Sequence, residues 1–120
     1  MIEAENVSKS YNGLVAIDNI SFNIRQNELY GFIGPDGSGK TTIFRIISTL
    51  LLPDEGKVQV NGFDVVKDYK KIRKIIGYMP GHFSQYPDLS VQENIDFFAT
   101  IFNTSFNEHY HLIKEIYEQL

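Results

Sequence analysis

Residues Gly34 to Thr42 read GPDGSGKTT and satisfy the pattern G-x-x-x-x-G-K-[ST]. These residue types at this spacing can hold phosphate. Gly34, Gly37 and Gly39 let the backbone curl until successive N–H groups point inward at anionic oxygens. A helix starting near Lys40 adds the positive end of its dipole. Lys40 brings an ammonium to the β- and γ-phosphates, and the Thr41 hydroxyl offers an oxygen to Mg²⁺. Pro35, Asp36, Ser38 and Thr42 complete the loop. Hydrogen bonds to charged groups contribute about 1.5–3 kcal/mol each, so several together hold a nucleotide. A glycine-rich turn ahead of a helix is the bland alternative. It does not account for the lysine and two hydroxyls that follow. The motif alone does not separate ATPase from GTPase or kinase.

The elements around the loop fit the same reading. Leu29 to Ile33 (LYGFI) is apolar throughout, as expected of a central parallel strand covered on both faces. Ile43, Ile46, Ile47, Leu50 and Leu51 recur at helical spacing after the loop, and Pro53 and Gly56 stop that helix. Ile2, Ala4 and Val7 suggest a short opening strand. Ile20, Phe22 and Ile24 alternate with polar neighbours, as in a half-buried antiparallel strand. Val58 and Val60 alternate before an Asn61-Gly62 turn pair. Ile72, Ile75 and Ile76 mark a short helix running into a second apolar strand, IIGYM, at residues 75–79. Ser90 and Glu93 form a capping box ahead of a helix faced by Val91, Ile95, Phe98 and Phe102. A last helix carries Ile113, Ile116, Tyr117 and Leu120 at spacings of three and four. Alternating strands and helices make the fold class α/β.

Length and composition narrow the function. With 120 residues and 42% apolar content, the chain suits one globular domain. A net charge of -4 disfavours a nucleic-acid partner. There are no cysteines, hence no disulfide and no thiolate zinc site. The start, MIEAENVSKS, lacks the pattern of a signal peptide, and the apolar runs are too short to cross a bilayer. Direct membrane insertion is not expected.

The run of motifs resembles the ATP-binding domain of ABC transporters, in order along nearly the whole chain. VSKSYNGLVAIDNISFNI looks like the family's opening, GFIGPDGSGKTTIFRIISTLLLPDEGKVQVNG like its phosphate loop, helix and next strand, and IRKIIGYMPGHFSQYPDLSVQENIDFF like the approach to its helical subdomain. The style is similar to ATPases that drive export through a separate permease, the multidrug branch included. The resemblance implies an incomplete P-loop NTPase-type domain. Residues 1–88 would be the nucleotide-binding core and β portion, and 89–120 the start of the helical subdomain. It further implies ATP and Mg²⁺ as cofactors, adenine stacked on Tyr11, and Mg²⁺ held at Thr41. The expected partners are a membrane permease and a second ATP-binding subunit paired head to tail. The expected location is cytoplasmic, peripheral to the membrane. Tyr11 is otherwise an ordinary aromatic near a turn; an aromatic pair is worth about 0.5–1.5 kcal/mol beyond its burial.

Three departures from the family pattern matter. Gly81 stands where the family has a glutamine after YMP that meets Mg²⁺ and the attacking water, and glycine can do neither. Gln85 is out of register and reads as a solvent-exposed loop residue. Asp36 replaces a frequent asparagine, and its charge should point away from the phosphates. The signature segment, the Walker B strand and the switch histidine are not present in these residues. No catalytic residue is therefore assigned, and the chain is expected to be the front portion of a larger domain that binds without hydrolysing. A non-catalytic nucleotide-binding or regulatory module associating with a transporter is the second reading. No N-K-x-D segment supports a GTPase, and no arginine-bearing lid supports a small-molecule kinase.

The remaining signals have plainer readings. Lys67, Lys70, Lys71, Arg73 and Lys74 form a solvated helix face. His109 and His111 are two apart and do not face one another on a helix, so no metal is assigned. His82 reads as a loop residue, with a permease contact as the sharper option. Phe97, Phe98 and Phe102 read as core, and FSQYPDL as a candidate coupling surface.

Overall fold

The computed structural model describes residues 1–81 and 85–118. They divide into two compact units, Met1–Met79 and Pro80–Leu120.

The first unit is built on an antiparallel sheet of β1 (Ile2–Tyr11), β2 (Leu14–Ile24), β3 (Glu55–Val60) and β4 (Phe63–Asp64), in the order β2-β1-β3-β4. Asn12 and Gly13 turn β1 into β2 with φ of 47° and 84°, and Asn61-Gly62 does the same between β3 and β4 at 49° and 78°. These are left-handed positions suited to asparagine and glycine in tight hairpins. The β1–β2 register shifts between Ala4 and Val7, between Val7 and Lys9 and between Lys9 and Ser10, and Asn6, in the first of these, takes φ of 50°. Its N–H donates to Ser21 Oγ at 2.8 Å, and Asn19 N–H donates to Ser8 Oγ at 3.0 Å, so serine hydroxyls satisfy the amides that the bulges release. Gly56, at φ of 82°, lies where a Cβ would overlap the Asn6 carbonyl, so the sheet needs glycine there.

One helix, α1 (Lys40–Ile47), lies on this sheet. Ile43, Ile46 and Ile47 from the helix meet Ala4, Val7, Ile17, Val58 and Val60 from the strands, with Val65 and Ile72 beside them. Burying a Val, Leu or Ile is worth about 1.5–3 kcal/mol, so this cluster dominates the unit's stability. Ile20, Phe22 and Ile24 are half-buried, as their alternation predicts. Lys9 pairs with Asp54, which also accepts from Ser10 N–H at 2.7 Å and ties β1 to the turn before β3.

Three expected elements differ. The helix ends at Ile47 rather than running to Leu51: Thr49 turns left-handed at φ of 62°, leaving Leu50 exposed and Leu51 partly buried. The stretch Leu29–Ile33 is not a strand, because no hydrogen-bonded neighbour lies beside it among the described residues. Only one of its faces packs. Tyr30 and Phe32 meet Phe22 at ring-centroid distances of 6.2 and 5.1 Å, and Phe32 meets Phe44 at 5.4 Å. Leu29 and Ile33, on the opposite face, are fully exposed. Residues 75–79 likewise form no strand; the short helix α2 (Tyr69–Ile72) gives way to a turn and extended chain, with Met79 exposed.

The second unit holds α3 (Val91–Ile101) and α4 (Phe106–Tyr117). The Ser90–Glu93 capping box forms with both reciprocal hydrogen bonds. Val91 and Phe102 are exposed rather than core, and the buried residue of α3 is Asn94. Phe97 and Phe98 do pack, on each other and on Tyr86 at 4.8 and 6.4 Å, without becoming fully buried. Asn94 earns its burial by bonding: Oδ1 accepts from Tyr86 N–H, while Nδ2 donates to the Tyr86, Leu89 and Ser90 carbonyls. His82, Leu120 and the side chains of Ile113, Ile116 and Tyr117 lie outside the described residues, as do two residues of the FSQYPDL stretch. No described helix is long and apolar enough to cross a membrane.

Candidate phosphate-binding site

The site is the chain reversal from residue 34 to α1. Gly37 takes φ of 81° and Gly39 φ of 87°, both left-handed. Gly39 is the N-cap of α1 and contributes no side-chain bond; no acidic residue occupies the first turn. The N–H groups that open a helix have no partner inside it. Here no side chain caps them and no carboxylate competes for them, so they stay available to an anion. Sequence and backbone agree at this point.

Gly39 has a second constraint. A Cβ there would overlap the Ala16 carbonyl oxygen on β2. The sheet therefore backs the loop directly, and Ala16 helps shape the site although nothing in its local sequence marks it. Gly34 is tight as well, since a Cβ would meet Ser38 Oγ. Gly37 has open space around it, so its glycine answers to φ alone.

The Lys40 ammonium folds over the loop and donates to the Gly34 and Pro35 carbonyls, each at 2.6 Å, and to Ser38 Oγ at 3.3 Å. Ser38 N–H donates to the Pro35 carbonyl at 3.2 Å, closing the turn. A cavity of about 180 Å³ is bounded by Ala16 and residues 36–42, with Thr41 and Thr42 in its wall. A neighbouring one of about 320 Å³ is lined by Ile17, Asp18, Phe32, Pro35 and Lys40 among others. Asp36 is exposed and lies among the residues lining the smaller cavity. The donor set suits a polyphosphate with a hard divalent cation: main-chain amides, one ammonium and a hydroxyl oxygen at Thr41.

Tyr11 ends β1, about two-fifths exposed, with Lys9 Nζ 5.9 Å from its ring centroid. It pairs with Leu14, two residues before Ala16 on β2, so one hairpin carries both Tyr11 and the backing of Gly39. Gly81 belongs to the second unit and has open space where a Cβ would stand. Gln85 is an exposed loop residue. His109 Nε2 lies 3.0 Å from Thr104 Oγ1, and no metal-type cluster of His, Asp and Glu occurs among the described residues.

Comparison with known proteins agrees with this architecture. The family model described as ABC transporter matches residues 17–120. The probable multidrug ABC transporter ATP-binding protein YbhF of Escherichia coli (strain K12) is 35% identical over 102 residues, 85% of this chain and 18% of that protein. The linearmycin resistance ATP-binding protein LnrL of Bacillus subtilis (strain 168) is 33% identical, over 90% of this chain and 35% of that one. Among solved structures, the dimeric ATP-binding cassette MJ0796 in a post-hydrolysis state with ADP and Pi superposes with a TM-score of 0.73 and 31% identity. That match covers 84% of this chain and 47% of the other. The chain thus spans well under two thirds of each of these relatives.

Proposed function

The chain belongs to the ABC transporter family, and from that premise we propose that it contributes the nucleotide-binding part of a transporter's ATP-binding subunit. The family binds ATP with Mg²⁺ and hydrolyses it in general. Its ATP-binding proteins work with membrane permeases and form dimers. In our reading the triphosphate lies against the amides of Gly37–Thr42, with the Lys40 ammonium released from the Gly34 and Pro35 carbonyls onto phosphate oxygens. Thr41 supplies an oxygen to Mg²⁺, and Tyr11 stacks on the base. Mg²⁺ bound there neutralises phosphate charge. The supporting observation is the uncapped, acid-free start of α1 facing a cavity closed by Lys40.

The transport role is export through a separate permease on the cytoplasmic side of a membrane. The multidrug and linearmycin-resistance relatives favour that direction. Gly81, where the family pattern has a glutamine, has no side chain to orient a water. The polypeptide by itself therefore holds nucleotide without turning it over.

Titration calorimetry of MgATP against the chain and Lys40→Ala tests the assignment. Loss of a charge-assisted hold should weaken binding at least tenfold, and equal affinities would end it. ATP turnover above background that vanishes in Lys40→Ala would refute the non-hydrolytic part.

A further inference from the structure

Seven residues other than glycine take positive φ among the described residues, and six are asparagine; the exception is Thr49, at 62°. Asparagine tolerates the left-handed region, whereas a β-branched residue there is an outlier that persists only where its surroundings over-determine it. Thr49 sits just beyond the C-cap of α1, a place that glycine or asparagine usually fills. It is buried, and Arg73 holds it twice: Nε donates to Thr49 Oγ1 and Nη2 to the Thr49 carbonyl, both at 2.8 Å. The guanidinium lies 5.2 Å from the Tyr69 ring centroid, which fixes its plane. Threonine presents a hydroxyl beside its own carbonyl to this fork. Arg73 thus leaves the solvated lysine face to which its neighbours belong and grips the end of α1 opposite the phosphate loop.

We propose that Arg73 and Thr49 form a latch that positions residues 73–79 on the far end of the phosphate-loop helix, coupling nucleotide occupancy of the loop to the order of that segment. The coupling rests on the nucleotide-binding reading above; the latch does not. Helix α1 is the link, with the phosphate loop at one end and Thr49 at the other. The latched segment, with Ile76 against the core, is the chain that leads to residue 81. Arg73 is a positioning residue here, and it touches no substrate. Coupling is reciprocal: nucleotide that steadies α1 steadies the segment, and a released segment weakens nucleotide binding by the same factor.

Amide hydrogen exchange of the full chain, with and without MgATP, is the test. In the wild type, nucleotide should slow exchange across 74–79 by about fivefold, the lower range of such couplings. Arg73→Ala should exchange faster there without nucleotide, lose the response, and bind MgATP about fivefold more weakly, while amides of β1–β3 keep wild-type protection. Arg73→Lys should not restore the response, because an ammonium lacks the planar fork that stacks on Tyr69 and aims two fixed N–H groups at Oγ1 and the carbonyl. Thr49→Val keeps the shape and loses Oγ1, so it should fall between, and it carries the test if Arg73→Ala does not fold. Wild-type exchange at 74–79 in both variants, or uniform acceleration across the chain, overturns the latch. If wild type binds MgATP without any response at 74–79, the coupling is overturned. If no nucleotide binds, the site reading and the coupling fall together, and the nucleotide-free comparison decides the latch.

Discussion

Two stretches of the first unit, one alternating and one apolar throughout, end in opposite states. Glu55–Val60 is a paired strand with Val58 and Val60 in the core, whereas Leu29–Ile33, apolar throughout, has no backbone partner among the described residues and leaves Leu29 and Ile33 bare. The difference lies in what each needs beside it. The antiparallel sheet assembles from hairpins and one return strand, all within the described chain. A strand meant for a parallel neighbour needs a crossover and a second strand in register, and among the described residues none lies next to residues 29–33. Apolar character draws one face onto Phe22 and Phe44 but cannot supply the missing ladder. An exposed row of unpaired backbone and apolar side chains is an association hazard.

The comparison can be broken or sharpened by mutation. The largest contrast is Ile46→Ala against Ile33→Ala. Emptying the buried helix position should cost about 2–5 kcal/mol, and trimming the exposed one should stay within about 0.5 kcal/mol, by urea unfolding. If Ile33→Ala costs as much as Ile46→Ala, the bare face is buried in solution. Next comes glycine. Gly56→Ala drives a Cβ into the Asn6 carbonyl at a left-handed position and should destabilise by about 1–3 kcal/mol, while Gly31→Ala, in open space, should be nearly silent.

A smaller effect comes from acid. The Lys9 side chain first, and then the Ser10 N–H, hold the Asp54 carboxyl below its ordinary range. A depressed folded-state value means the stabilisation is complete above the unfolded carboxylate pKa of about 4 and is lost as pH falls through the folded one. Asp54→Asn should lower the melting temperature slightly at neutral pH and converge with wild type in acid, flattening the acid side of the profile. The smallest stability change, with the clearest solution phenotype, belongs to Ile33→Lys. Its melting temperature should match wild type while light scattering shows less self-association. Unchanged scattering would mean that this face does not drive association.

Much of the candidate site is legible in the sequence. The spacing of Gly34, Gly39, Lys40 and Thr41 announces a phosphate loop because each residue answers a local demand, a left-handed turn, a helix start or a charge. The Ser90–Glu93 box and the Asn61-Gly62 turn are readable for the same reason. The misread elements were those whose state depends on distant partners. Residues 29–33 and 75–79 have strand composition without a ladder, and Val91 and Phe102 have helical spacing without a core to face. No spacing marks Asn94 for burial; its four hydrogen bonds to the preceding residues 86–90 do.

The order of residues alone therefore determined the glycine-rich turn of the candidate phosphate site and the amphipathic helix that follows, since both rest on interactions within a few positions of each other. Only the tertiary structure decided that β2 presses the Ala16 carbonyl onto Gly39, that Thr49 is held left-handed by Arg73, and which apolar runs find cover. Those outcomes depend on groups brought together from far apart in the chain, where spacing carries no information until the backbone has closed.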